Sequence, residues 1–429
     1  MVIRVQPSVL EGRVEAPPSK SYTHRAIAVS MMTRGRSRIL HPLISDDTLA
    51  SIRAAELLGA DITRHPESLE VSGGAFRVPE DVIDVGNSGT TLRFFTAIAG
   101  HTPRGYTVLT GDESIRRRPM APLLKALGML GVECWSTRMN GLAPIVVRGG
   151  GVRGGRATIE GGVSSQFISA LLIASPRSEG WVEVEVEGEP VSRPYIDATI
   201  TVMEGFGFRV EREGYRWFRV EGEQEGRATE FRVPGDYSSA SFLLAAAHLT
   251  CGDVSVGNLD PHLPQADMRI LEVIREFGGV VEEAGGLVRV RGAEAEPRNL
   301  EISLRDSPDL LPVTAMLAAK NPGETLISGV EHAHYKDTDR VRAVAEELGK
   351  LGVWVEERVD GLLIRGRREI EGGVELDPHG DHRLFMALTV LSLATRRGCV
   401  VKGEEWASVS YPQFLQHLRL LGARVESAL

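Results

Sequence analysis

The sequence predicts an α/β protein of two domains, built from six copies of one module in which strands and helices alternate. Two observations lead to this fold class. The chain has 429 residues, which is more than a single hydrophobic core usually organises. One segment type also recurs six times at intervals of about 70 to 77 residues, and internal periods of this kind indicate duplicated supersecondary units.

Each copy contains a strand-like run, a polar loop, an apolar helix, a glycine-bearing turn and a further strand. The copies begin at Gly12, Ile83, Ala157, Glu230, Leu300 and Val374. A second helix follows each copy, with apolar residues three and four apart, as in LASIRAAELLGADI and VRAVAEELGKLGVWV. Glycine near the end of these runs is typical of helix C-caps. Alternating runs such as LVRVRG and LLIRGR then predict short strands, so each copy is a βαβ-type unit with extra strands.

The loop that opens each first helix indicates where a ligand could bind. All six loops are rich in Ser, Gly, Asp or Asn, which are common N-cap residues; they read PPSKS, GNSGT, GGVSS, PGDYSS, DSPD and PHGD. Free N–H groups and a partial positive charge let helix N-termini bind phosphate and carboxylate. If the modules are arranged pseudo-symmetrically, several N-termini converge on one anion-binding cleft. The alternative is that the duplicated modules only build a large core.

Composition narrows the classes of function. The net charge of −9 argues against non-specific nucleic-acid binding, which requires a basic face. No run approaches the roughly 20 apolar residues that span a bilayer, and Met1–Leu10 does not resemble a secretory signal. The three cysteines form no CxxC pair and read as reduced thiols. We therefore expect a cytoplasmic protein with neither a membrane nor a nucleic-acid partner.

Lysine is scarce, so its positions are informative. Only six of the 49 basic residues are lysines. Arginine holds planar oxyanions bidentately, whereas lysine supplies an amine with a tunable proton affinity. Lys20, Ser21 and Arg25 open the first helix, where positive charge opposes the helix dipole and thus suggests a ligand. Arg116–Arg118 lie at the mouth of a loop between a strand-like run and a helix. The alternative for both segments is a solvated charged surface.

Two C-terminal segments carry charged residues at predicted helix starts. In HAHYKDTDRVRAV, Lys336 and Arg340 are four residues apart, which predicts that they share one helical face. Asp337 could orient Lys336 or exchange a proton with a substrate. In DPHGDHRLFM, Asp381 and Arg383 open an apolar helix. Ordinary salt-bridged helix starts are the alternative for both segments.

Patterns typical of metal and nucleotide sites are weak. His379, Asp381 and His382 could ligate a metal, but no second cluster has ligand spacing. The sequence contains no Walker A pattern, and its glycine pairs lack the strand-to-helix context of GxGxxG. We therefore expect no metal, no cofactor and no nucleotide.

Nine motifs in order carry a specific resemblance. They are PSKSYTHR, GNSGTTLR, SIRRRPM, SSQF, SRPYID, PGDYSSASF, SPD, YKDTDR and GDHR. Over nearly its whole length the chain resembles the 5-enolpyruvylshikimate-3-phosphate synthase family. The resemblance implies the enolpyruvyl transferase fold, a two-domain inside-out α/β barrel of six βαβαββ units. It implies an N-terminal strand (1–15) belonging to the C-terminal domain, an N-terminal domain (16–231), a C-terminal domain (232–429) and an active site in the cleft between the domains.

The resemblance also implies an activity. The enolpyruvyl group of phosphoenolpyruvate moves to the 5-hydroxyl of shikimate 3-phosphate, and phosphate is released, in the shikimate pathway to aromatic amino acids. The expected partners are these two small molecules, and the chain is expected to be a monomer. Family resemblance places the herbicide glyphosate in the phosphoenolpyruvate subsite.

Residue roles follow from the resemblance alone. The residues expected to hold shikimate 3-phosphate are Lys20, Ser21, Arg25, Ser164, Ser165, Gln166, Ser192, Tyr195, Asp309 and Lys336. Those expected to hold phosphoenolpyruvate are Lys20, Asn87, Gly89, Arg118, Gln166, Arg340 and Arg383. The expected catalytic residues are Asp309, Lys336, Asp337 and Lys20. Asp309 would accept the hydroxyl proton with help from Lys336, and Asp337 would protonate the methylene carbon.

Three positions depart from the family pattern. Many members carry Glu where this chain has Asp337, which leaves the proton donor open. Many carry Lys at the position of Val409, and many carry Asn at a position that corresponds here to His332 or His334.

Three alternative functions share the repeat. A UDP-N-acetylglucosamine enolpyruvyl transferase usually has a cysteine in the loop equivalent to Asp112–Pro119 and a Lys-Asn pair at the first helix, whereas this chain has neither. An RNA 3′-phosphate cyclase requires ATP and nucleic acid, which the acidic charge and missing nucleotide motif oppose. A non-catalytic anion-binding scaffold is disfavoured because Lys20, Asp309 and Lys336 are all present.

Overall fold

The computed structural model describes residues 1–294 and 296–428, and these form two compact units. One unit, here called the discontinuous unit, combines Met1–Pro17 with Gly235–Leu429. The other, the continuous unit, is Pro18–Pro234. The chain therefore passes from one unit to the other after Pro17 and returns after Pro234.

The discontinuous unit begins with two strands, β1 (Val2–Gln6) and β2 (Glu11–Glu15). The continuous unit then contributes six helices and twelve strands among its residues. In chain order they are α1 (Lys20–Met32), β3 (Gly35–Leu40), α2 (Asp46–Leu57), β4 (Asp61–His65), β5 (Ser68–Gly73), β6 (Ile83–Asp84), α3 (Gly89–Ile98), β7 (Tyr106–Thr110), α4 (Ala121–Met129), β8 (Cys134–Ser136), β9 (Ile145–Arg148), β10 (Gly155–Glu160), α5 (Ser165–Ala174), β11 (Val182–Glu187), α6 (Pro194–Gly205), β12 (Glu211–Glu213), β13 (Trp217–Val220) and β14 (Glu230–Arg232).

The rest of the discontinuous unit repeats the same alternation. In chain order it contains α7 (Tyr237–Leu249), β15 (Asp253–Gly257), α8 (Ile270–Glu276), β16 (Val280–Ala284), β17 (Leu287–Arg291), β18 (Leu300–Ser303), α9 (Leu311–Lys320), β19 (Glu324–Ser328), α10 (Arg340–Lys350), β20 (Trp354–Arg358), β21 (Gly361–Arg365), β22 (Glu375–Leu376), α11 (His382–Leu393), β23 (Cys399–Lys402), α12 (Phe414–Leu420) and β24 (Arg424–Ala428).

The strands form six sheets of four, all with the same internal order. In β6-β7-β9-β8, β10-β11-β13-β12 and β18-β19-β21-β20, the first two strands are parallel and the other neighbours are antiparallel. A buried first helix joins each parallel pair, as parallel strands need a crossover connection. A second helix then leads to the antiparallel hairpin. The prediction of six βαβαββ units is confirmed by this architecture.

Three sheets take a strand from a distant part of the chain. Although β2 precedes α1, it pairs in parallel with β15, Glu11 lying opposite Asp253. Although β14 precedes α7, it pairs in parallel with β3. The N-terminal strand β1 lies between β23 and β24, with Ile3 opposite both Val401 and Ser427. β1 thus completes the sixth module.

First and second helices differ in how they are buried. Every residue of α7 and α11 is buried, and α1 buries all but its first two residues. A helix that is apolar on all sides belongs in a core. In contrast, α10 buries one stripe that includes Val341, Val344 and Leu348. Among the described residues, none of the helices combines the length and apolar character needed to cross a bilayer.

The first helices pack against each other within each unit. α3 contacts both α1 and α5, and α11 contacts both α7 and α9. Side chains at their N-terminal turns therefore approach one another within each unit. Lys20, Asp309 and Arg383, three of the predicted site residues, lie at those turns.

Because β1 completes a sheet from the far end of the sequence, its buried side chains should matter for stability. Replacing Ile3, which is fully buried, with Ala should lower the free energy of unfolding by about 2 to 5 kcal/mol. Arg4 is exposed on the same strand, so Arg4→Ala should change it by less than about 0.5 kcal/mol. Urea unfolding followed by circular dichroism measures both. Equal effects of the two variants would contradict this role of β1.

Candidate active site

Lys20 is the first residue of α1, and its ammonium is held by a carboxylate from the next helix. Lys20 Nζ donates a 2.7 Å hydrogen bond to Asp47 Oδ2. Asp47 lies in the first turn of α2, which starts with a capping box between Ser45 and Thr48. Burial by itself raises the pKa of Asp47, but the charge of Lys20 lowers it well below its usual range. Asp47 was not among the predicted site residues, although Asp after a Ser cap is a signal for a helix start.

Arg25 is almost fully buried and is hydrogen-bonded to the surrounding protein. Its guanidinium donates to Thr199 Oγ1 at 2.8 Å, to the Ser21 carbonyl at 2.8 Å and to the Tyr195 carbonyl at 2.9 Å. It also lies over the rings of Phe94 and Tyr195, at 5.6 and 5.7 Å. Burial lowers its pKa to about 10. Arg25 therefore fixes the backbone at Ser21 and Tyr195, two residues expected to hold shikimate 3-phosphate.

Two buried arginines lie against Gly89, the first residue of α3. A Cβ atom added at Gly89 would lie 2.7 Å from Nη1 of Arg118 and 3.2 Å from Nη1 of Arg93. Burial, followed by the positive charge of Arg118, lowers the pKa of Arg93 to about 9. No carboxylate within residues 1–294 and 296–428 forms an ion pair with Arg93. Two like charges held this way favour a bound anion.

The arginine run resolves into one buried and two outward-facing residues. Arg118 is 7% exposed and follows a short 3₁₀ turn, Ile115–Arg117. Arg117 pairs at 3.4 Å with Glu113 at the surface, and Arg116 donates to the Gly111 carbonyl. Burial at the loop mouth therefore selects Arg118 as the anion-binding candidate of the run.

Gln166 connects α5 with the start of α3. Its side-chain oxygen accepts a hydrogen bond from Arg93, and its side-chain nitrogen donates to Thr90 Oγ1 at 3.1 Å. Ser164 caps α5 by accepting from the Gln166 amide at 3.3 Å. Arg93 was not among the predicted site residues, although it is the last residue of the motif GNSGTTLR.

The remaining candidates of the continuous unit lie in turns before helices. Asn87 precedes α3, and Ser165 is the first residue of α5. Ser192 lies just before α6 and has a positive φ of 56°. That backbone conformation is uncommon for a residue other than glycine and often occurs at functional sites.

In the discontinuous unit, Asp309 is surrounded by cations. Asp309 Oδ1 lies 2.7 Å from Arg340 Nη1 and 3.6 Å from Lys336 Nζ, and Oδ2 lies 3.1 Å from Arg383 Nη2. Asp309 belongs to a 3₁₀ turn, Pro308–Leu310, that leads into α9. In the described part of the chain no side chain caps α9 at Leu310. A simple capping role therefore does not explain Asp309.

Arg340 lies at the centre of this cluster and is 2% exposed. Its Nε donates to Asp381 Oδ2 at 2.6 Å, and its Nη2 lies 3.5 Å from Asp337. Asp381 also caps α11 by accepting from the Arg383 and Leu384 amides. Burial by itself lowers the pKa of Arg340, but the neighbouring carboxylates raise it above its ordinary value. Arg340 thus stays charged in a buried position.

One prediction about this segment was wrong. Lys336 lies outside any helix, with φ −89° and ψ −151°, and α10 begins only at Arg340. The two side chains therefore do not share a helical face. They meet because both lie beside Asp309. The cause is local: Asp339 caps α10 by accepting from the Arg342 amide, so the helix cannot begin earlier.

Asp337, Asp381 and His382 form a group whose possible metal-ligating atoms lie within 4.8 Å of one another. His382 Nδ1 lies 2.9 Å from Asp337 Oδ2. His379, which the sequence analysis grouped with them, instead lies 2.8 Å from Glu347. Arg340 already pairs with both carboxylates of the group, which is typical of an ion-pair network.

The positions that depart from the family pattern have distinct surroundings. Burial, followed by the charge of Lys336, lowers the pKa of His332 to about 3. His334 instead bonds to Asp339 at 2.8 Å. Of the two histidines, His332 is therefore the one whose pKa responds to the charges around Asp309. Val409 is buried at the end of a 3₁₀ helix, Glu404–Val409.

A further carboxyl, Asp267, was missed because its segment QADMR carries no recognisable pattern. It is 2% exposed and lies in a 3₁₀ turn, Ala266–Arg269. Ser238, in the first turn of α7, hydrogen-bonds to it and also accepts from Arg383. Asp267 is therefore linked through Ser238 to Arg383, one of the expected phosphoenolpyruvate residues.

One unit contains buried arginines and a lysine at a helix N-terminus, and the other contains a carboxylate among three cations. Such groups are typical of an enzyme that acts on small anionic substrates. A family model described as EPSP synthase (3-phosphoshikimate 1-carboxyvinyltransferase) matches residues 5–418. The chain belongs to this family.

Similar proteins agree over almost the full length. Proteins named 3-phosphoshikimate 1-carboxyvinyltransferase are 45% identical in Korarchaeum cryptofilum, over 99% of both chains, and 48% identical in Methanothermobacter thermautotrophicus, over 97% of both. A structure of an EPSP synthase from Acinetobacter baumannii superimposes with a TM-score of 0.82, at 24% identity, covering 100% of both chains. The structural likeness confirms the expected enolpyruvyl transferase fold.

The surroundings of Asp267 predict a pH-dependent stability difference. Burial, followed by the charge of Asp309, raises its pKa from 3.8 to about 6. The folded chain therefore holds this proton more tightly than the unfolded chain, and the associated stability is lost as the pH rises through about 6. Asp267→Asn cannot ionise. Relative to the wild type, it should gain on the order of 1 to 3 kcal/mol of unfolding free energy between about pH 4.5 and pH 7.5.

Urea unfolding at the two pH values measures this difference. Asp253→Asn serves as a control of opposite sign, because a hydrogen bond from Arg289 lowers the pKa of Asp253. A stability difference between Asp267→Asn and the wild type that stays constant with pH would contradict the prediction.

Proposed function

We propose that the chain transfers the enolpyruvyl group of phosphoenolpyruvate to the 5-hydroxyl of shikimate 3-phosphate and releases phosphate. Family membership over residues 5–418 supports the reaction. The observation that carries the proposal is the meeting of Asp309 with Lys336, Arg340 and Arg383. That arrangement offers a proton acceptor next to groups that bind anions, as this transfer requires.

Anion binding is assigned to the arginines and helix starts of both units. The proposed phosphoenolpyruvate residues are Lys20, Asn87, Gly89, Arg118, Gln166, Arg340 and Arg383. The proposed shikimate 3-phosphate residues are Lys20, Ser21, Arg25, Ser164, Ser165, Gln166, Ser192, Tyr195, Asp309 and Lys336. The geometry adds Arg93 to the first set, since it lies with Arg118 against Gly89 and is bonded to Gln166. Charge-assisted hydrogen bonds from such groups stabilise phosphate and carboxylate strongly.

Bond formation is assigned to the Asp309 cluster. Asp309 accepts the proton of the 5-hydroxyl while the hydroxyl oxygen bonds to the central carbon of phosphoenolpyruvate. Nearby cations favour the ionised carboxylate that this step needs. Lys336 lies 3.6 Å from Asp309 and assists the proton transfer. Asp337 delivers a proton to the methylene carbon, which becomes a methyl group.

The second half-reaction restores the double bond. The tetrahedral intermediate loses phosphate as its carbon–oxygen bond breaks, and a proton leaves the methyl group for Asp337. Arginines already placed at the phosphate stabilise the charge that develops there, without reorganising during the reaction. Asp337 is held between His382 at 2.9 Å and Arg340 at 3.5 Å, which fixes the carboxyl that handles this proton.

Product formation tests the proposal directly. Purified protein is incubated with phosphoenolpyruvate and either shikimate 3-phosphate or UDP-N-acetylglucosamine, and phosphate release and product mass are measured. We expect turnover when the acceptor is shikimate 3-phosphate and none when it is UDP-N-acetylglucosamine. Turnover with the nucleotide sugar would assign the other enolpyruvyl transfer. If no phosphate is released with either acceptor, the proposal is overturned.

Asp309→Asn tests the proton acceptor. The variant keeps the shape of the side chain and removes its basicity, and general acid–base assistance is typically worth about 10²–10⁴ in rate. We expect kcat to fall at least a hundredfold while shikimate 3-phosphate binds with little change. Steady-state kinetics and calorimetry measure the two quantities. The matched control is Asp253→Asn, whose partly buried carboxylate pairs with Arg289, and it should keep kcat within twofold. Near-normal turnover of Asp309→Asn would exclude the catalytic role.

Gly89→Ala tests the phosphoenolpyruvate subsite. The added methyl group would force the Arg118 guanidinium away from its position 2.7 Å from the new atom. Losing part of a charge-assisted contact should raise KM for phosphoenolpyruvate about three- to thirtyfold and weaken glyphosate inhibition. Arg118→Ala should reduce kcat/KM at least tenfold, whereas Arg117→Ala, at an exposed side chain, should stay within twofold. An unchanged KM and inhibition constant in Gly89→Ala would place the subsite elsewhere.

A further inference from the structure

Behind Lys20, a file of buried polar side chains runs from α1 through α2 to α3. His24, one helical turn after Lys20, places Nε2 3.5 Å from Asp47 Oδ1 and Nδ1 2.7 Å from Ser51 Oγ. Ser51 Oγ lies 2.7 Å from Thr91 Oγ1, which lies 2.6 Å from Ser88 Oγ. His24, Ser51, Thr91 and Ser88 are all 0% exposed. The far end of the file is the N-cap of α3, next to Gly89.

Counting protons fixes the direction of these hydrogen bonds. Each hydroxyl has one proton to donate. A proton on His24 Nε2 faces the Asp47 carboxylate and leaves Nδ1 as an acceptor for the Ser51 hydroxyl. Ser51 must then accept from Thr91, and Thr91 must accept from Ser88. In this order each of the three hydroxyls donates once, while the 3.5 Å contact between His24 Nε2 and Asp47 Oδ1 is electrostatic and not a hydrogen bond. The file ends at Ser88, whose oxygen accepts the Thr91 amide at 3.3 Å.

The charged groups around His24 keep it in this form. Burial lowers its pKa below the ordinary 6.5, and the charges of Lys20 and Arg25 act in the same direction. The charge of Asp47 raises the pKa of His24, but it does so less than burial lowers it. His24 is therefore neutral near neutral pH. An additional proton on Nδ1 would force the hydroxyl chain to reverse and would take the Ser88 proton away from Thr91.

We propose that His24 is a positioning residue which, through Ser51 and Thr91, ties the Lys20–Asp47 pair to the N-terminal turn of α3. The relay fixes the Lys20 ammonium relative to the turn at Gly89, so that both meet phosphoenolpyruvate in one arrangement. The inference rests on the proposed function for the identity of the ligand. Shikimate 3-phosphate shares only Lys20 with this relay among its expected contacts, so its binding depends on the relay less.

The decisive variants are Ser51→Ala and Thr91→Val, which break the relay without changing charge or much volume. We expect each to raise KM for phosphoenolpyruvate about five- to tenfold, because each variant loses one buried hydrogen bond. KM for shikimate 3-phosphate and kcat should change less than twofold. The matched control is Ser30→Ala, also in a fully buried position on α1, whose hydroxyl donates to the Ile27 carbonyl. It should leave both KM values unchanged.

A double-mutant cycle separates positioning from general stability. In a Lys20→Met background, Ser51→Ala should have no further effect on phosphoenolpyruvate affinity, because the group that it positions is gone. Thermal unfolding of each variant reports folding independently. Additive effects in the cycle, or KM values for phosphoenolpyruvate that stay within twofold in both relay variants, would overturn the proposal.

The histidine tautomer gives a readout that does not depend on turnover. Nitrogen-15 NMR of labelled histidine, assigned with His24→Asn, should show the proton on Nε2 in the wild type. It should show an altered Nδ1 shift in Ser51→Ala, where the donor to Nδ1 is missing. A wild-type proton on Nδ1 overturns the relay. A wild type that folds with the expected tautomer but forms no product overturns the proposed function instead.

Discussion

The burial of the six first helices on nearly all sides is the constraint on which the rest of the structure depends. A helix enclosed by apolar neighbours has few places for polar groups, and its unsatisfied N–H groups lie at its start. Polar and charged side chains therefore collect at these starts, as at Lys20, Ser88 and Arg383. Because the first helices also pack against one another within each unit, residues distant in sequence become neighbours there.

The two units handle buried charge differently. In the discontinuous unit, carboxylates from three segments surround Arg340 and keep it charged. In the continuous unit, Arg93 and Arg118 face the same glycine, and the pKa of Arg93 falls to about 9. Like charges held close together repel each other, so an anion from outside the chain would stabilise the second arrangement. The first arrangement is already balanced and suits proton handling, with Asp309 and Asp337 both held by Arg340.

The sequence predicted the local structure well where the signal was local. Of the six loops rich in capping residues, four supply a side-chain cap: Ser88, Ser164, Asp236 and Asp381 each accept a backbone N–H at the start of a helix. The loops PPSKS and DSPD supply none in the described part of the chain. Locality also explains the error at Lys336: spacing alone suggested a helical face, but the cap at Asp339 delays the helix. Arg93 and Asp267 were missed because their roles come from partners distant in sequence. For Arg93 the partner is Gln166, and for Asp267 it is Ser238.

By itself, the sequence determined the six α/β repeats, the helix starts rich in capping residues and the motifs that identify the family, because each of these is written within a short stretch of chain. Family resemblance assigned residues 1–15 to the C-terminal domain, but only the tertiary structure decided which strands β1, β2 and β14 pair with. It also decided which arginine of Arg116–Arg118 is buried, and that Asp47 and His24 stand behind Lys20. These outcomes depend on packing between helices, which brings together side chains whose separation along the chain carries no information about their distance in space.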